Sequence, residues 1–385
     1  MLPKVTQEEL AGRCATAQAA MAKAGLNALL IGAGPNVQYY AGYPSPGSGG
    51  ARPFLLLLPR DGDPVIIAHA ARERELSHFS WIKDVRVYER LSRLPADRLA
   101  EVICERALER GRIGLEWSQE MRSDLPTQEL LEFARRFPAL QLTDGAGVIW
   151  QQRRVKSGSE IARLRQAGRI TSQAFSRLFE EIHGGMTERE VFQIFARLQL
   201  EAGSATTWGA ITSGVGNYEL PSKPATDRPL CRGDLVWLDG GCAVDGYWSD
   251  FSRAAVVGGP SEAQHRTQDA INHVTAETVA RIRPGASLAS VAQACYRGLA
   301  AARLPATAAI SVLAGRVGHG LGLNTAEPPS VAPDDPTIVV PGMVLTVEPA
   351  VATAHGIFHH EQNVLVTDDG GELLSSAAVE LATIH

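Results

Sequence analysis

The hydrophobic positions in the first 150 residues alternate between helical and strand spacing. The segment EELAGRCATAQAAMAKAG (8–25) has apolar residues at helical intervals and ends at Gly25, a residue typical of helix C-caps. Short apolar runs predict buried strands at NALLIG (27–32), FLLLLP (54–59), PVIIA (64–68) and IGLEW (113–117). Further helical patterns lie near 71–79, 94–110 and 126–136. This alternation predicts an α/β domain over residues 1–150.

The pattern changes at QQRRVKSGSE (151–160), a basic stretch that we expect to form a loop between two domains. Two amphipathic helices are predicted after it, and Thr187 and Glu190 have the spacing of a capping box at the start of the second. The remaining pattern gives helices at 158–182, 187–202, 261–282 and 287–302, and strands at 208–213, 234–240, 246–257 and within 343–367. Two helices followed by strands occur twice, which hints at a duplication within a second domain, residues 151–385.

Composition narrows the possible partners. The chain has 385 residues and a net charge of −5, which provides no basic surface for nucleic acid or for a membrane. The start, MLPKVTQEEL, lacks the pattern of a signal peptide, and FLLLLP is too short to span a bilayer. Five dispersed cysteines without a CxxC pair predict free thiols in a reducing compartment. We therefore expect a cytoplasmic protein with no nucleic-acid or membrane partner.

Four carboxylates interrupt the apolar strand patterns of the second domain. Asp239 and Asp250 lie eleven positions apart in WLDGGCAVDGYWSDFSR, Glu348 ends GMVLTVEP, and Glu361 enters EQNVLVT. His319 adds an imidazole flanked by glycines in GRVGHGLGLN. A buried unpaired carboxylate costs several kcal/mol, so four of them on strands need a shared counter-charge. Carboxylates and an imidazole together predict a site for two divalent ions.

In type and order these residues resemble the ligand motif of the pita-bread metallopeptidase family, which includes methionine aminopeptidases, Xaa-Pro aminopeptidases, prolidases and creatinases. The resemblance extends over the Asp239, Gly246-Tyr247, Asp250, Ser252 and Arg253 motif, the GHG histidine His319, and the glutamates Glu348 and Glu361. It implies an α+β protein: a C-terminal pita-bread (creatinase/aminopeptidase) fold with an N-terminal α/β creatinase-type domain.

The resemblance also implies roles for the five ligands. Asp239 would bind one ion, His319 and Glu348 the other, and Asp250 and Glu361 would bridge the two. Two cations lower the pKa of a water molecule toward neutrality, and Glu348 would accept its proton. Manganese is expected first, and cobalt, zinc and iron are also compatible with this ligand set.

Two histidines of the family's peptidases are missing. One lies 17–18 residues before the first aspartate and the other seven residues after the GHG histidine; Ser222 and Ala326 stand there in this chain. By resemblance, these histidines contact the scissile amide and the developing oxyanion. Strand alternation suggests that His359 faces the same side as Glu361, and His360 the opposite side. We therefore expect His359, with Glu348, to be catalytic, although a supporting contact to Glu361 is an equal alternative.

The leading hypothesis is a metal-dependent hydrolase that cleaves a C–N bond of a small substrate with metal-activated water. An Xaa-Pro dipeptidase or aminopeptidase is the first alternative. A lyase acting on a small zwitterion such as dimethylsulfoniopropionate is the second, and a metal-free binding scaffold is the third. The resemblance further implies a homodimer whose N-terminal domain helps to close an active site. Without the two histidines, we expect weak Xaa-Pro cleavage.

Overall fold

The computed structural model describes residues 2–43, 52–91, 94–118 and 120–385. These residues form two compact units, one of residues 3–153 and one of residues 154–385. Within the described ranges, none of the helices combines the length and hydrophobicity needed to span a bilayer. All five cysteines are free, as their spacing predicts.

The first unit is built on a six-stranded mixed sheet with the strand order β4-β3-β2-β1-β5-β6. Its strands are β1 (Ala28–Ile31), β2 (Leu55–Pro59), β3 (Val65–His69), β4 (Asp84–Tyr88), β5 (Arg112–Leu115) and β6 (Gln141–Asp144). Its helices are α1 (Gln7–Ala24), α2 (Gly34–Ala41), α3 (Glu73–Phe79), α4 (Ala96–Glu105), α5 (Thr127–Ala134) and α6 (Ala146–Arg153), with a 3-10 turn at Ala70–Arg72. Apolar residues of the strands, α4 and α5 form one hydrophobic core of this unit.

Local sequence signals explain why the sequence predicts some elements of this unit correctly. Helix α1 begins after Thr6, whose side chain accepts a hydrogen bond from the Glu9 backbone, and it ends at Gly25 with φ of 68°. The sequence patterns missed α2, β4, β6 and α6. Helix α6 also corrects the expected loop at 151–160, because it continues to Arg153.

The second unit contains five helices and three sheets. The helices are α7 (Gly158–Glu181), α8 (Glu188–Glu201), α9 (Glu262–Val279), α10 (Leu288–Ala301) and α11 (Ile310–Ala314). The strands are β7 (Thr206–Ser213), β8 (Leu235–Val244), β9 (Tyr247–Trp248), β10 (Phe251–Val257), β11 (Ala306–Ala308), β12 (His319–Gly320), β13 (Glu327–Ser330), β14 (Val344–Val347), β15 (Ala350–Thr353), β16 (Gly356–His359), β17 (Gln362–Thr367), β18 (Gly370–Leu373) and β19 (Ala382–Ile384). The sheet orders are β19-β10-β8-β7 with β9 on β8, β11-β15-β16, and β13-β12-β14-β17-β18.

The four long helices of this unit confirm the sequence prediction. Helices α7 and α8 begin with capping boxes, formed by Ser157 with Glu160 and by Thr187 with Glu190. Helix pair α7–α8 is followed by strands β7–β10 of one five-stranded sheet, and pair α9–α10 precedes all the strands of the other, so two helices followed by strands occur twice.

The strand predicted over 246–257 is wrong, because it is interrupted at Ser249 and Asp250 between β9 and β10. The Ser249 backbone N–H donates to the Cys242 carbonyl at 2.9 Å, while the Asp250 N–H donates to the Asn363 side chain at 3.0 Å. The Asp250 N–H therefore bonds to a side chain at the interruption. The prediction that all four carboxylates lie on strands is also wrong, because only Asp239 lies within a strand.

Candidate metal centre

Asp239 lies in β8, the central strand of its sheet. Its cross-strand neighbours are Ala210 on β7 and Ser252 on β10. Strand β8 is otherwise apolar and buried, which explains why its sequence predicts a strand through this position. The Asp239 Oδ1 atom is buried and has no hydrogen-bond partner among the described residues.

Asp250 is held at the strand interruption by Asn363 of β17. The Asn363 amide accepts from the Asp250 N–H and donates to the Asp250 carbonyl. Both main-chain groups of Asp250 are therefore satisfied by one side chain, so its carboxylate is left to face the interior. Sequence analysis missed this role of Asn363 because its partner is 113 positions away.

His319 begins the short strand β12, where close backbone packing requires its glycine neighbours. A Cβ on Gly318 would lie 2.1 Å from the Thr346 carbonyl oxygen, and one on Gly320 would lie 2.7 Å from the Glu327 carbonyl oxygen. The His319 Nδ1 is 3.0 Å from the Gly320 carbonyl. If Nδ1 carries the hydrogen and donates it there, Nε2 is free to bind a cation, as in many metal-ligating histidines.

Glu348 directly follows β14, and Glu361 directly precedes β17. Hydrogen bonds of their main-chain groups hold both residues in place. The Glu348 N–H donates to the Val317 carbonyl at 2.9 Å, next to the histidine strand. The Glu361 N–H donates to Ser252 Oγ at 3.2 Å, and the buried Arg253 guanidinium donates to the Glu361 carbonyl at 3.0 Å. The Ser-Arg pair of the aspartate motif therefore positions Glu361, a role that the sequence motif did not reveal.

The five predicted ligands and His359 converge in the second unit. His319 Nε2 lies 3.6 Å from Glu348 Oε1 and 3.8 Å from Asp250 Oδ2. His359 Nε2 lies 3.6 Å from Glu348 Oε2 and 4.0 Å from Glu361 Oε2. These separations are too long for hydrogen bonds, so the groups surround a common space without closing it.

Two sets of three residues have the spacing of cation ligands. One is Asp239, His359 and Glu361, and the other is Asp250, His319 and Glu361; within each set the ligand atoms lie within 4.8 Å of one another. Glu361 belongs to both sets. Neither Glu361 oxygen has a hydrogen-bond partner among the described residues, and the same is true of Asp250 Oδ1. Buried carboxylate oxygens without donors fit divalent cations.

The electrostatics of the cluster indicate a shortage of positive charge. Burial raises the pKa of Asp250 well above its usual value, and the Asp239 and Glu348 carboxylates raise it further. Burial and the neighbouring Asp250 and Asp239 do the same to the pKa of Glu361, and burial also raises the pKa of Asp239. Bound cations would reverse these shifts, because each favours the ionised carboxylates.

Glu348 differs from the other three acids. Burial opposes its ionisation, yet His319 and His359 hold its pKa below the usual value. An ionised glutamate beside the cluster is able to accept a proton.

The sequence profile of metallopeptidase family M24 matches residues 162–368. The chain belongs to this family. The profile of the creatinase/prolidase N-terminal domain matches residues 13–155. The chain therefore has a creatinase-type N-terminal domain and a pita-bread domain, as the resemblance implied, and it is a metallohydrolase related to the Xaa-Pro peptidases.

Relatives cover nearly the whole chain. An Xaa-Pro dipeptidase of Pyrococcus horikoshii is 27% identical over 94% of this chain and 96% of its own. The crystal structure of a prolidase from Thermococcus sibiricus superposes with a TM-score of 0.86 at 26% identity, covering 97% of this chain and 98% of that one. A dipeptidase structure from Mycobacterium ulcerans has a TM-score of 0.84, the same identity and the same coverage.

The two departures from the family's peptidase pattern fall on loops. Ser222 is exposed in the loop between β7 and β8, and Ala326 is half-buried immediately before β13. Strand β13 pairs with β12, which carries His319. Neither residue can supply the imidazole that the peptidases have there.

A buried glutamate anchors the loop that carries Ser222. Glu188 at the start of α8 accepts hydrogen bonds from the backbone and hydroxyl of Ser213 and from those of Thr226. It also pairs with Lys223, the neighbour of Ser222. Burial opposes ionisation of Glu188, but Lys223, Thr226 and Ser213 hold its pKa below the usual value. The loop that carries Ser222 is thus anchored to α8 through Lys223 and Thr226.

His360 does not face the cluster. The Gln362 side-chain amide is 3.0 Å from His360 Nε2, and burial lowers the pKa of His360 to about 3, assisted by Arg253 and His359. This ring is therefore neutral and buried, whereas the neighbouring His359 ring approaches the carboxylates.

Proposed function

We propose that this chain hydrolyses the C–N bond of a dipeptide-like substrate with two divalent ions held by Asp239, Asp250, His319, Glu348 and Glu361. The observation that carries the proposal is a cluster in which Asp239 Oδ1, Asp250 Oδ1 and both Glu361 oxygens are buried without hydrogen-bond partners among the described residues. In the same cluster the Nε2 atoms of His319 and His359 lie 3.6–4.0 Å from carboxylate oxygens of Asp250, Glu348 and Glu361. Asp239 would hold one ion, His319 and Glu348 the other, and Asp250 and Glu361 both. Manganese is the first candidate because oxygen ligands dominate the set.

Bound divalent ions supply a nucleophile, by lowering the pKa of water toward neutrality, and polarise the scissile carbonyl. Glu348, whose pKa His319 and His359 lower in the metal-free chain, would accept the proton that the attacking water loses. The proton passes to the leaving nitrogen as the C–N bond breaks and the new C–O bond completes the acid product.

Xaa-Pro dipeptides are the first substrates to test. Relatives that match this chain over nearly its whole length carry the names Xaa-Pro dipeptidase, prolidase and dipeptidase. They favour the dipeptidase hypothesis over the small non-peptide substrate that the sequence suggested first. A compact non-peptide amide is the second candidate, and Ser222 and Ala326 favour it because both are smaller than an imidazole.

The test compares substrates on protein freed of metal and reloaded with Mn²⁺. We expect hydrolysis of Ala-Pro and Gly-Pro, slowed because a missing oxyanion donor costs about 10²–10³ in rate. Restoring the imidazoles with Ser222→His and Ala326→His together should then raise kcat for these dipeptides, while kcat for compact non-peptide amides, for the guanidine creatine and for the amidine ectoine should not rise. If the reloaded protein cleaves only the non-peptide amides, the dipeptidase proposal fails in favour of the second candidate.

A further inference from the structure

His359 has the same spatial relation to the carboxylates as the ligand His319. Each Nε2 atom lies 3.6 Å from a different oxygen of Glu348, and each has a second carboxylate at 3.8–4.0 Å: Asp250 for His319 and Glu361 for His359. Two ligand atoms, each about 2.0–2.2 Å from one ion, are at most about 4.0–4.4 Å apart. None of the four separations fits a hydrogen bond. The two separations of His319 and the His359–Glu361 separation fit atoms that share a cation, whereas Glu348 would belong to the other ion than His359.

The two candidate cation sets contain one imidazole each. His359 completes the set with Asp239 and Glu361, and His319 completes the set with Asp250 and Glu361. Without His359, the first set would offer carboxylates only. The buried Asp239 Oδ1 and both Glu361 oxygens, which have no hydrogen-bond partner among the described residues, belong to the set that His359 completes.

The His359 ring is held in this orientation by its surroundings. The Trp237 ring packs against it with centroids 5.3 Å apart and an interplanar angle of 38°. The His359 carbonyl accepts from Ser252 Oγ at 2.7 Å, and its strand pairs with β15 at Ala350. A ring fixed by packing and by its strand is preorganised for ligation, because binding then costs little conformational entropy.

We propose that His359 is a direct ligand of the ion held by Asp239 and Glu361. This inference rests on the proposed dinuclear centre and extends its ligand set to four carboxylates and two imidazoles, a combination also found in carboxylate-bridged di-iron and di-manganese bundle proteins. Coordination through Nε2 occupies the lone pair that proton transfer would need, so this role replaces the catalytic one expected from the sequence. A second imidazole also strengthens binding of Co²⁺ and Zn²⁺ relative to Mn²⁺.

Titration of the metal-free full chain with Co²⁺ alone tests the inference without any activity measurement. The wild-type chain should bind two Co²⁺ ions and give two exchangeable, paramagnetically shifted imidazole N–H resonances in its proton NMR spectrum. His359→Phe keeps an aromatic ring against Trp237 but removes the nitrogen. This variant should lose one of the two resonances and bind its second Co²⁺ about 100-fold more weakly, at the upper end of what supporting contacts to metal ligands are worth.

His355→Phe is the matched control, because His355 is exposed in the turn between β15 and β16. It should keep both resonances and both affinities. If His359→Phe does not give the wild-type circular dichroism spectrum, His359→Gln serves instead; it should lose the same resonance with a smaller loss of affinity, because its amide oxygen is a weak ligand.

The outcomes separate this inference from the proposed function. Two tightly bound Co²⁺ ions in wild type and in both His359 variants, with one shifted resonance throughout, would overturn the ligand role and leave the dinuclear centre standing. A wild-type chain that binds no Co²⁺ would instead remove the dinuclear centre on which the inference rests.

Discussion

The buried acids of the cluster respond differently to the same surroundings. Asp250 and Glu361 face other carboxylates, so burial and repulsion raise their pKa values above the ordinary 3.8 and 4.5. Glu348 lies within 3.6 Å of two imidazoles, and its pKa falls. These opposite shifts follow from the neighbours of each side chain: Asp250 and Glu361 lie next to other carboxylates, whereas Glu348 lies next to imidazoles and stays ionised in the metal-free chain.

Metal and protons should compete at Asp250 and Glu361. In the metal-free chain, the pKa values of both carboxyl groups are higher in the folded than in the unfolded state. Their contribution to stability is therefore fully present below the unfolded-state pKa near 4, and it is lost as the pH rises through the folded-state pKa. Metal binds the ionised forms and replaces the protons. Chelation should therefore lower Tm more at about pH 8 than at about pH 5.5. At free metal 100 times Kd, the loss corresponds to about 2.7 kcal/mol.

Thermal melts of the Mn²⁺-loaded and chelated chain at both pH values check this expectation. An equal or larger effect of chelation at the lower pH would contradict the assignment of these two acids as cation ligands. Asp245→Asn provides the control, since Asp245 is an exposed acid in the β8–β9 turn, paired with Arg163 outside the cluster. In this variant, the loss of Tm on chelation should differ between the two pH values by the same amount as in wild type.

At the scale of single elements, the helices were easier to predict than the site-bearing strand ends. Capping boxes such as Thr187–Glu190 are complete within four residues, so the sequence contains the whole signal. The interruption at Asp250 depends on Asn363. The position of Glu361 depends on Ser252 and Arg253, more than 100 positions away. No local pattern marks such contacts, and the apolar runs around the three acids therefore suggested continuous strands.

The anchor between α8 and the β7–β8 loop gives a prediction at this scale. Glu188→Gln should lower the free energy of unfolding by about 3 kcal/mol, because Lys223 remains largely buried without its counter-charge. Asp227→Asn removes the Arg189–Asp227 pair, which links the same helix and loop but is exposed. Its effect should be much smaller, since exposed pairs are screened by water. If urea unfolding showed an equal loss of unfolding free energy in the two variants, the anchoring role of Glu188 would be contradicted.

At the scale of the whole molecule, the sequence was informative about fold class and ligand order but not about sheet arrangement. The family is identified by the order and spacing of five residues, and the members of a family share its fold. These residues are Asp239, Asp250, His319, Glu348 and Glu361. The pairings β10–β19 and β12–β14 join segments distant in sequence, and no single strand encodes its partner. The Trp237–His359 contact is of the same kind.

The oligomeric state stays a prediction that rests on the family resemblance. We expect a homodimer, with a mass in solution of twice the chain mass of 41.2 kDa. Light scattering after size-exclusion chromatography at micromolar concentration measures it directly. A single species with the mass of one chain would contradict the homodimer and leave the metal centre unaffected, because all of its proposed ligands lie in the second unit of one chain.

We expect one chain to hold two divalent ions through the carboxylate cluster. The most direct measurement is the metal-to-protein ratio by elemental analysis after chelation, reloading with Mn²⁺ and dialysis, for wild type and for Asp250→Ala. We predict two ions per wild-type chain and a large loss in the variant, because Asp250 would contact both ions. A wild-type chain that retains no metal, or an Asp250→Ala chain that still retains two ions, would contradict the dinuclear centre.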